Sequence, residues 1–154
     1  MSKIAEVQAQ TSNKPCRIGE IAHTVGVTTR TLRYWQEINL LVPHGKRAGT
    51  ERLYREEDIT RAQHIRELQA LFGFTLAEIG VILKAEDALA DIKSAYDPAA
   101  SPEKRRMLSE AALLVTIELL SQIDIKVDRI KDYRAQLAAK IEHLQTKLAT
   151  IDRK

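Results

Sequence analysis

Apolar residues recur three and four positions apart along most of this chain, and the breaks in that rhythm mark its elements. Ile18, Ile21, Ala22 and Val25 make the stripe of a short amphipathic helix. Gly26 follows where a left-handed residue closes a helix, and Val27 packs under the turn. Thr28 stands at the N-cap of the next helix. On that helix Leu32, Trp35 and Ile38 face inward, while Thr29, Arg30, Arg33 and Tyr34 point elsewhere. Two short helices across a tight glycine-bearing turn predict a helix-turn-helix.

The rhythm changes at Pro43. Leu40–Val42 and Arg52–Tyr54 are short β-prone pieces flanking His44, Gly45, Lys46, Arg47, Ala48 and Gly49, which predicts a hairpin wing. Helical spacing then returns. Glu56 and Glu57 open a helix at its positive end, Ile59, Ala62, Ile65, Leu68 and Phe72 give it an inward face, and Gly73 ends it. Thr75 and Glu78 form a capping box, with Phe74 and Ile79 as a hydrophobic staple. Leu76, Ile79, Ile82 and Leu83 pack inward. From Glu86 to Pro102 the residues are mostly small, acidic or helix-breaking, a partly helical connector. Ser101 can cap the next helix, with Pro102 in its first turn.

The longest periodic run comes last. Leu113, Thr116, Leu120, Ile123, Val127, Ile130, Arg134, Leu137, Ile141, Leu144, Leu148 and Ile151 alternate in steps of three and four, a heptad seam without glycine or proline. Such a helix has no surrounding domain to bury its stripe. Pairing with a second copy buries it; folding back on the chain's own first half is the alternative. Arg134 is the one cation in the seam, able to set register or to snorkel outward. The expected organisation is a flexible tail over 1–15, a winged helix-turn-helix over 16–85, a connector over 86–108 and a dimerisation helix over 109–154.

Composition adds little until charge is read locally. The net charge of the 154 residues is only +3. Between Thr28 and Arg55, however, Arg30, Arg33, Lys46, Arg47, Arg52 and Arg55 face only Glu37 and Glu51. Arg30 and Arg33 alone would fit a solvated helix face. Cations shared between a helix and a protruding loop are the footprint of phosphate contacts, and the second helix of this motif normally enters the major groove by its amino-terminal end. Cys16 is the single cysteine, so no internal disulfide and no thiolate metal site are expected. His23, His44, His64 and His143 show no ligand spacing, and neither a metal nor a cofactor is expected. No apolar run is long enough for a bilayer, and the amino terminus lacks a signal-peptide core, so the expectation is a cytoplasmic, nucleoid-associated protein without a membrane partner. No nucleophile–base pair, phosphate-cradling glycine loop or carboxylate cluster points to an enzyme.

Taken together, Ile18-Gly19-Glu20-Ile21-Ala22, Gly26-Val27, Thr31-Leu32-Arg33-Tyr34-Trp35, Leu40-Leu41-x-Pro43, Arg52-x-Tyr54, Asp58-Ile59 and Gly73-Phe74-Thr75-Leu76-x-Glu78-Ile79 resemble the MerR family of bacterial transcription regulators. The resemblance covers roughly the first half of the chain. It implies a mainly α fold: a winged helix-turn-helix followed by a long antiparallel coiled-coil dimerisation helix. It also implies DNA contact at Thr29, Arg30, Arg33, Tyr34, Arg47, Arg52 and Tyr54. Thr28 and Lys46, beside them, complete the expected set. Trp35 stands where the family has a second aromatic that packs in the core. One departure lies in the wing: Thr50-Glu51 precede Arg52 where the family usually carries Gly-Tyr, which sets a carboxylate near the phosphate track.

The implied function is a homodimeric, sequence-specific regulator that bends and untwists an over-long promoter spacer, acting on RNA polymerase through the promoter. The dimer seam would comprise Leu120, Ile123, Val127, Ile130, Leu137, Ile141, Leu144, Leu148 and Ile151. The family's thiol-dependent sensors place cysteines at the dimer helix and in the loop after it, and this chain has none beyond Cys16. Its larger drug- or cobalamin-binding members carry a further carboxy-terminal domain, which is not expected in a sequence reaching Lys154. Two forms of control stay open: a small effector near Leu89–Val115, with Tyr96 and Met107 lining its pocket, or control by abundance or a partner. The rival functions are an architectural DNA-bending factor without promoter control and a coiled-coil adaptor with a folded cap.

Overall fold

The computed structural model describes residues 15–45, 47–49 and 51–151. The tail expected at the amino terminus lies outside the described residues except for Pro15, and so does Lys46. The chain divides into two compact units between Leu83 and Lys84.

The first unit opens with α1 (Ile18–Val25) and α2 (Thr29–Glu37). Gly26 adopts φ +74° between them, and the Gly26 and Val27 N–H groups both donate to the Ala22 carbonyl, at 2.9 and 3.0 Å. Those bonds satisfy the last carbonyls of α1 and turn the chain sharply. Thr28 Oγ1 then accepts the Thr31 N–H at 3.0 Å and starts α2. At the other end of α2, Asn39 takes the left-handed conformation, φ +59°, and the Leu40 N–H donates to the Trp35 carbonyl at 2.8 Å. This reversal corrects one expectation. Ile38 is not an inward residue of α2 but its C-cap, and it is exposed; Leu40 and Leu41 are buried in its place.

The wing is β1 (Arg47–Ala48) and β2 (Glu51–Arg52), antiparallel, with Arg47 opposite Arg52 and Ala48 opposite Glu51. Two more helices follow, α3 (Glu56–Ala70) and α4 (Leu76–Ala95). The α3 helix is shorter than its periodicity suggests. It stops at Ala70, so Phe72 lies in the turn and is exposed, while Phe74 is buried. Gly73 at φ +62° makes that turn. The Thr75–Glu78 box closes as expected: Glu78 N–H donates to Thr75 Oγ1 at 3.2 Å, and Thr75 N–H to Glu78 Oε2 at 2.8 Å. Ile21, Val25, Leu32, Trp35, Leu41, Ile65 and Ile79 are each exposed by 1% or less and form the core. Burial of each such side chain contributes about 2 kcal/mol.

The second unit holds the rest of α4 and one helix, α5 (Pro102–Ile151). Helix persists to Ala95 in the region read as a connector. Ser101 caps α5: its Oγ accepts the Lys104 N–H at 3.3 Å and its carbonyl the Arg105 N–H at 3.0 Å. α5 has 50 residues and none of them is buried. At 1.5 Å per residue it is roughly 75 Å long. Leu120, Val127, Ile130, Leu137, Ile141, Leu144, Leu148 and Ile151 all lie exposed along it, and Ile123 is half-buried. Among the described residues no helix is long and apolar enough to cross a membrane.

Candidate nucleic-acid interface

The two faces of α2 divide sharply. Leu32 and Trp35 are buried on one side, while Arg30, Arg33 and Tyr34 are exposed on the other and Thr29 is half-buried. Four of the expected contact residues thus share the outer part of one short helix. Thr28 is exposed too, but its hydroxyl is committed to the cap, 2.9 Å from the Thr31 hydroxyl and 3.0 Å from the Thr31 N–H. Its first duty is to the helix rather than to a ligand. A surface hollow beside α2 is bounded by Arg30, Arg33 and Tyr34 on one side and by Gln69 and Leu76 on the other.

The wing supplies the second set of cations. Arg52 is exposed, and the strand register sets Arg47 opposite it. Of Arg47 only the backbone is described.

Tyr54 requires a correction. Expected at the duplex surface, its side chain is 2% exposed. β2 ends at Arg52, and the chain turns so that Tyr54 pairs with Cys16 instead, each N–H donating to the other's carbonyl at 2.9 Å. The Tyr54 phenol oxygen accepts a hydrogen bond from Gln36 Nε2 of α2. Tyr54 is therefore the anchor tying the wing to α2. Burial pushes its ionisation above the ordinary tyrosine value and the charge of Asp58 adds to this, against the opposing effects of the Gln36 hydrogen bond, Arg33 and Arg52. A raised acid constant in the folded state means stability that is complete below the ordinary value and is lost as pH climbs through the raised one. Tyr54→Phe should therefore flatten the alkaline limb of a stability–pH curve. At neutral pH it should cost about 1 kcal/mol through the unmet Gln36 amide. Urea unfolding at a series of alkaline pH values reads both effects. The thiol of Cys16 is likewise raised, first by burial, then by Glu20 and Asp58, against one backbone hydrogen bond that lowers it. A raised thiol carries little thiolate at neutral pH, which suits a structural rather than a reactive cysteine.

The residue that sequence reasoning left without a role is Asp58. Its carboxylate is completely buried. It accepts the Arg55 N–H at 2.7 Å, the His44 N–H at 3.1 and 3.3 Å, and stands 2.6 Å from His44 Nδ1. One group thus caps α3 and holds the outgoing leg of the wing. An acid in the third position of a helix was a readable cap signal; the tie to His44, fourteen residues earlier, was not. Gly45 is the second such residue. A β-carbon there would lie 2.0 Å from the Leu53 carbonyl oxygen, so the two legs of the wing pass backbone against backbone.

The residues named for an effector lie on the surface of the single chain. Tyr96 and Met107 are both exposed, at 43% and 61%. Among the described residues no three histidine, cysteine, aspartate or glutamate side chains gather to hold a metal ion.

Residues 16–86 match the profile of the MerR HTH family regulatory proteins. The chain is 38% identical over 76 residues to the nodulation protein NolA of Bradyrhizobium elkanii, a match covering 49% of this chain and 34% of that protein. It is 40% identical over 70 residues to the mercuric resistance operon regulatory protein of Pseudomonas fluorescens, covering 46% of this chain and 48% of that one. A longer match, 26% identical over 121 residues, is to the HTH-type transcriptional regulator YfmP of Bacillus subtilis, covering 79% and 86%. The chain therefore spans about a third of NolA and half of the mercuric regulator. The family comprises transcription regulators, not enzymes. The profile match contains α1, α2, the wing, α3 and the start of α4, and through these residues the amino-terminal half of the chain matches the MerR family of helix-turn-helix regulatory proteins.

Proposed function

We propose that this protein is a homodimeric, sequence-specific regulator that binds and distorts promoter DNA. Its site of action is then the cytoplasmic nucleoid, and it reaches RNA polymerase through the promoter. Arg30, Arg33, Tyr34 and Thr29 of α2 read the major groove, with Thr28 at the helix start. Lys46, Arg47 and Arg52 of the wing grip the backbone. The proposal rests on one arrangement: an exposed cationic helix face and a wing rung with two arginines, tied together through Gln36 and Tyr54. Two such heads, joined through the exposed stripe of α5, would span a palindromic operator. Bending and untwisting the spacer costs about 1–6 kcal/mol, which contacts from both heads must offset.

The test is fluorescence anisotropy with duplexes from the protein's own promoter region and with unrelated duplexes, at low and moderate salt. Specific binding that weakens steeply with salt is expected. Retention of no duplex even in dilute buffer would sink the proposal. Arg33→Ala should weaken binding by about 1–3 kcal/mol if the guanidinium reads a base edge, with most of the loss confined to the operator. An even loss across all sequences, with a shallower salt slope, assigns Arg33 to phosphate instead. Unchanged binding removes it from the interface.

A further inference from the structure

We infer that His44 and Asp58 are the positioning device of the wing, setting the direction in which its cations leave the domain. This rests on the DNA-binding role proposed above and assigns a task to two residues outside the contact set. The wing has two legs, and each is held at its base. On the returning leg, Tyr54 pairs with Cys16 through the backbone and with Gln36 of α2 through its phenol. On the outgoing leg, both the main chain and the ring of His44 converge on the Asp58 carboxylate. Between the legs, Gly45 lies against the Leu53 carbonyl.

These ties differ in kind. The main-chain bonds are open to almost any residue, whereas the ring bond, 2.6 Å from Nδ1 to Oδ1, depends on the side chain at position 44. It joins a wholly buried carboxylate to an imidazole whose side chain is 55% exposed. Here it acts at the base of the outgoing leg, just before β1 (Arg47–Ala48). Without the ring, the His44 N–H and the Arg55 N–H still satisfy Asp58, and water reaches the vacated side. The domain stays folded while the outgoing leg loses one of its two restraints. A wing free to pivot loses phosphate contacts, each of which accounts for a slope of about 0.9 in log affinity against log salt.

The test uses the full chain and three proteins: wild type, His44→Ala and His44→Asn, whose amide nitrogen stands close to the place of Nδ1. Duplex binding is measured by anisotropy across a salt series, and melting by circular dichroism. His44→Ala is expected to keep the wild-type melting temperature within a few degrees. It should bind about tenfold more weakly, on operator and unrelated duplexes alike, with a salt slope lower by about one. His44→Asn should recover most of the affinity and the slope. Trypsin should also nick the alanine variant faster at Lys46 or Arg47. If His44→Ala binds with wild-type affinity and slope while wild type binds well, the positioning role is overturned and the regulator stands. A loss that merely follows a large fall in melting temperature, unrescued by asparagine, overturns it too, because His44 would then only hold the fold. If wild type itself retains no duplex, the regulator proposal fails and this inference fails with it.

Discussion

Asp58→Ala is expected to lower the stability of the amino-terminal unit by about 2–6 kcal/mol, since two main-chain donors lose a buried acceptor at about 1–3 kcal/mol each. The Arg55 N–H that starts α3 and the His44 N–H lose their acceptor at once, and the His44 ring loses its partner. Alanine offers no acceptor and leaves space where the carboxylate stood. A domain of this size has only about 5–15 kcal/mol in hand. Each kilocalorie lost shifts melting by about 4–8 °C for 60–100 residues, so the midpoint should fall by tens of degrees. Calorimetry on the full chain reads it as loss of the transition belonging to the first unit. Asp58→Asn should lie between, since its amide oxygen keeps one acceptor and its amide hydrogens meet the facing donors. A change in midpoint of only a degree or two in Asp58→Ala would show that water replaces the carboxylate, and Asp58 would lose its place as the hub of the wing base.

The second large effect lies in α5. Substituting aspartate for both Ile130 and Leu137 is expected to turn the proposed dimer into a monomer. Both residues lie on the apolar stripe and are exposed in the single chain, so a carboxylate there costs the isolated chain little. In a paired seam two charges per helix would be desolvated without partners, at several kilocalories each. Loss of pairing also removes the second reading head, and the gain from joining two binding modules is on the order of 100-fold or more. Operator affinity should fall accordingly, while binding to an isolated half-site stays as it was. Light scattering at micromolar concentration gives the mass, and anisotropy on full and half operators gives the affinity. A variant that remains dimeric with full operator affinity would place the dimer contact away from this stripe. A wild-type protein that is itself a monomer would undo the homodimer altogether.

The elements that sequence reading recovered are those whose causes are local. Gly26 after Val25, Thr28 before α2, the Thr75–Glu78 box and Ser101 before Pro102 all act within a few residues, and each is found making the bond its position implies. The stripes of α1 and α5 follow from spacing alone. Reading failed where a helix ended through a backbone reversal. Ile38 and Phe72 continue the apolar spacing, yet Asn39 and Gly73 adopt left-handed conformations and turn the chain before either can be buried. Asn39 was the available signal, since asparagine tolerates that conformation better than most residues.

The candidate site divides along the same line. Cations on one face of α2 and in the wing were legible as a charge pattern, because solvent-facing residues announce themselves by type. Tyr54 was misassigned because an aromatic two positions after an arginine looks identical whether it faces DNA or the core. The short β2, and the pairing with Cys16 thirty-eight residues earlier in the chain, decided the matter. From order and spacing alone, then, the chain determined where its helices lie, the starts of α2, α4 and α5, its basic wing and the unburied stripe of α5. Only the folded arrangement made Asp58 a hub, His44 a tether, Gly45 a close-approach point and Tyr54 an anchor. Local propensity acts through neighbours in sequence, whereas these roles need groups far apart in the chain brought within hydrogen-bonding or van der Waals reach, and no pattern of residue types encodes that distance directly.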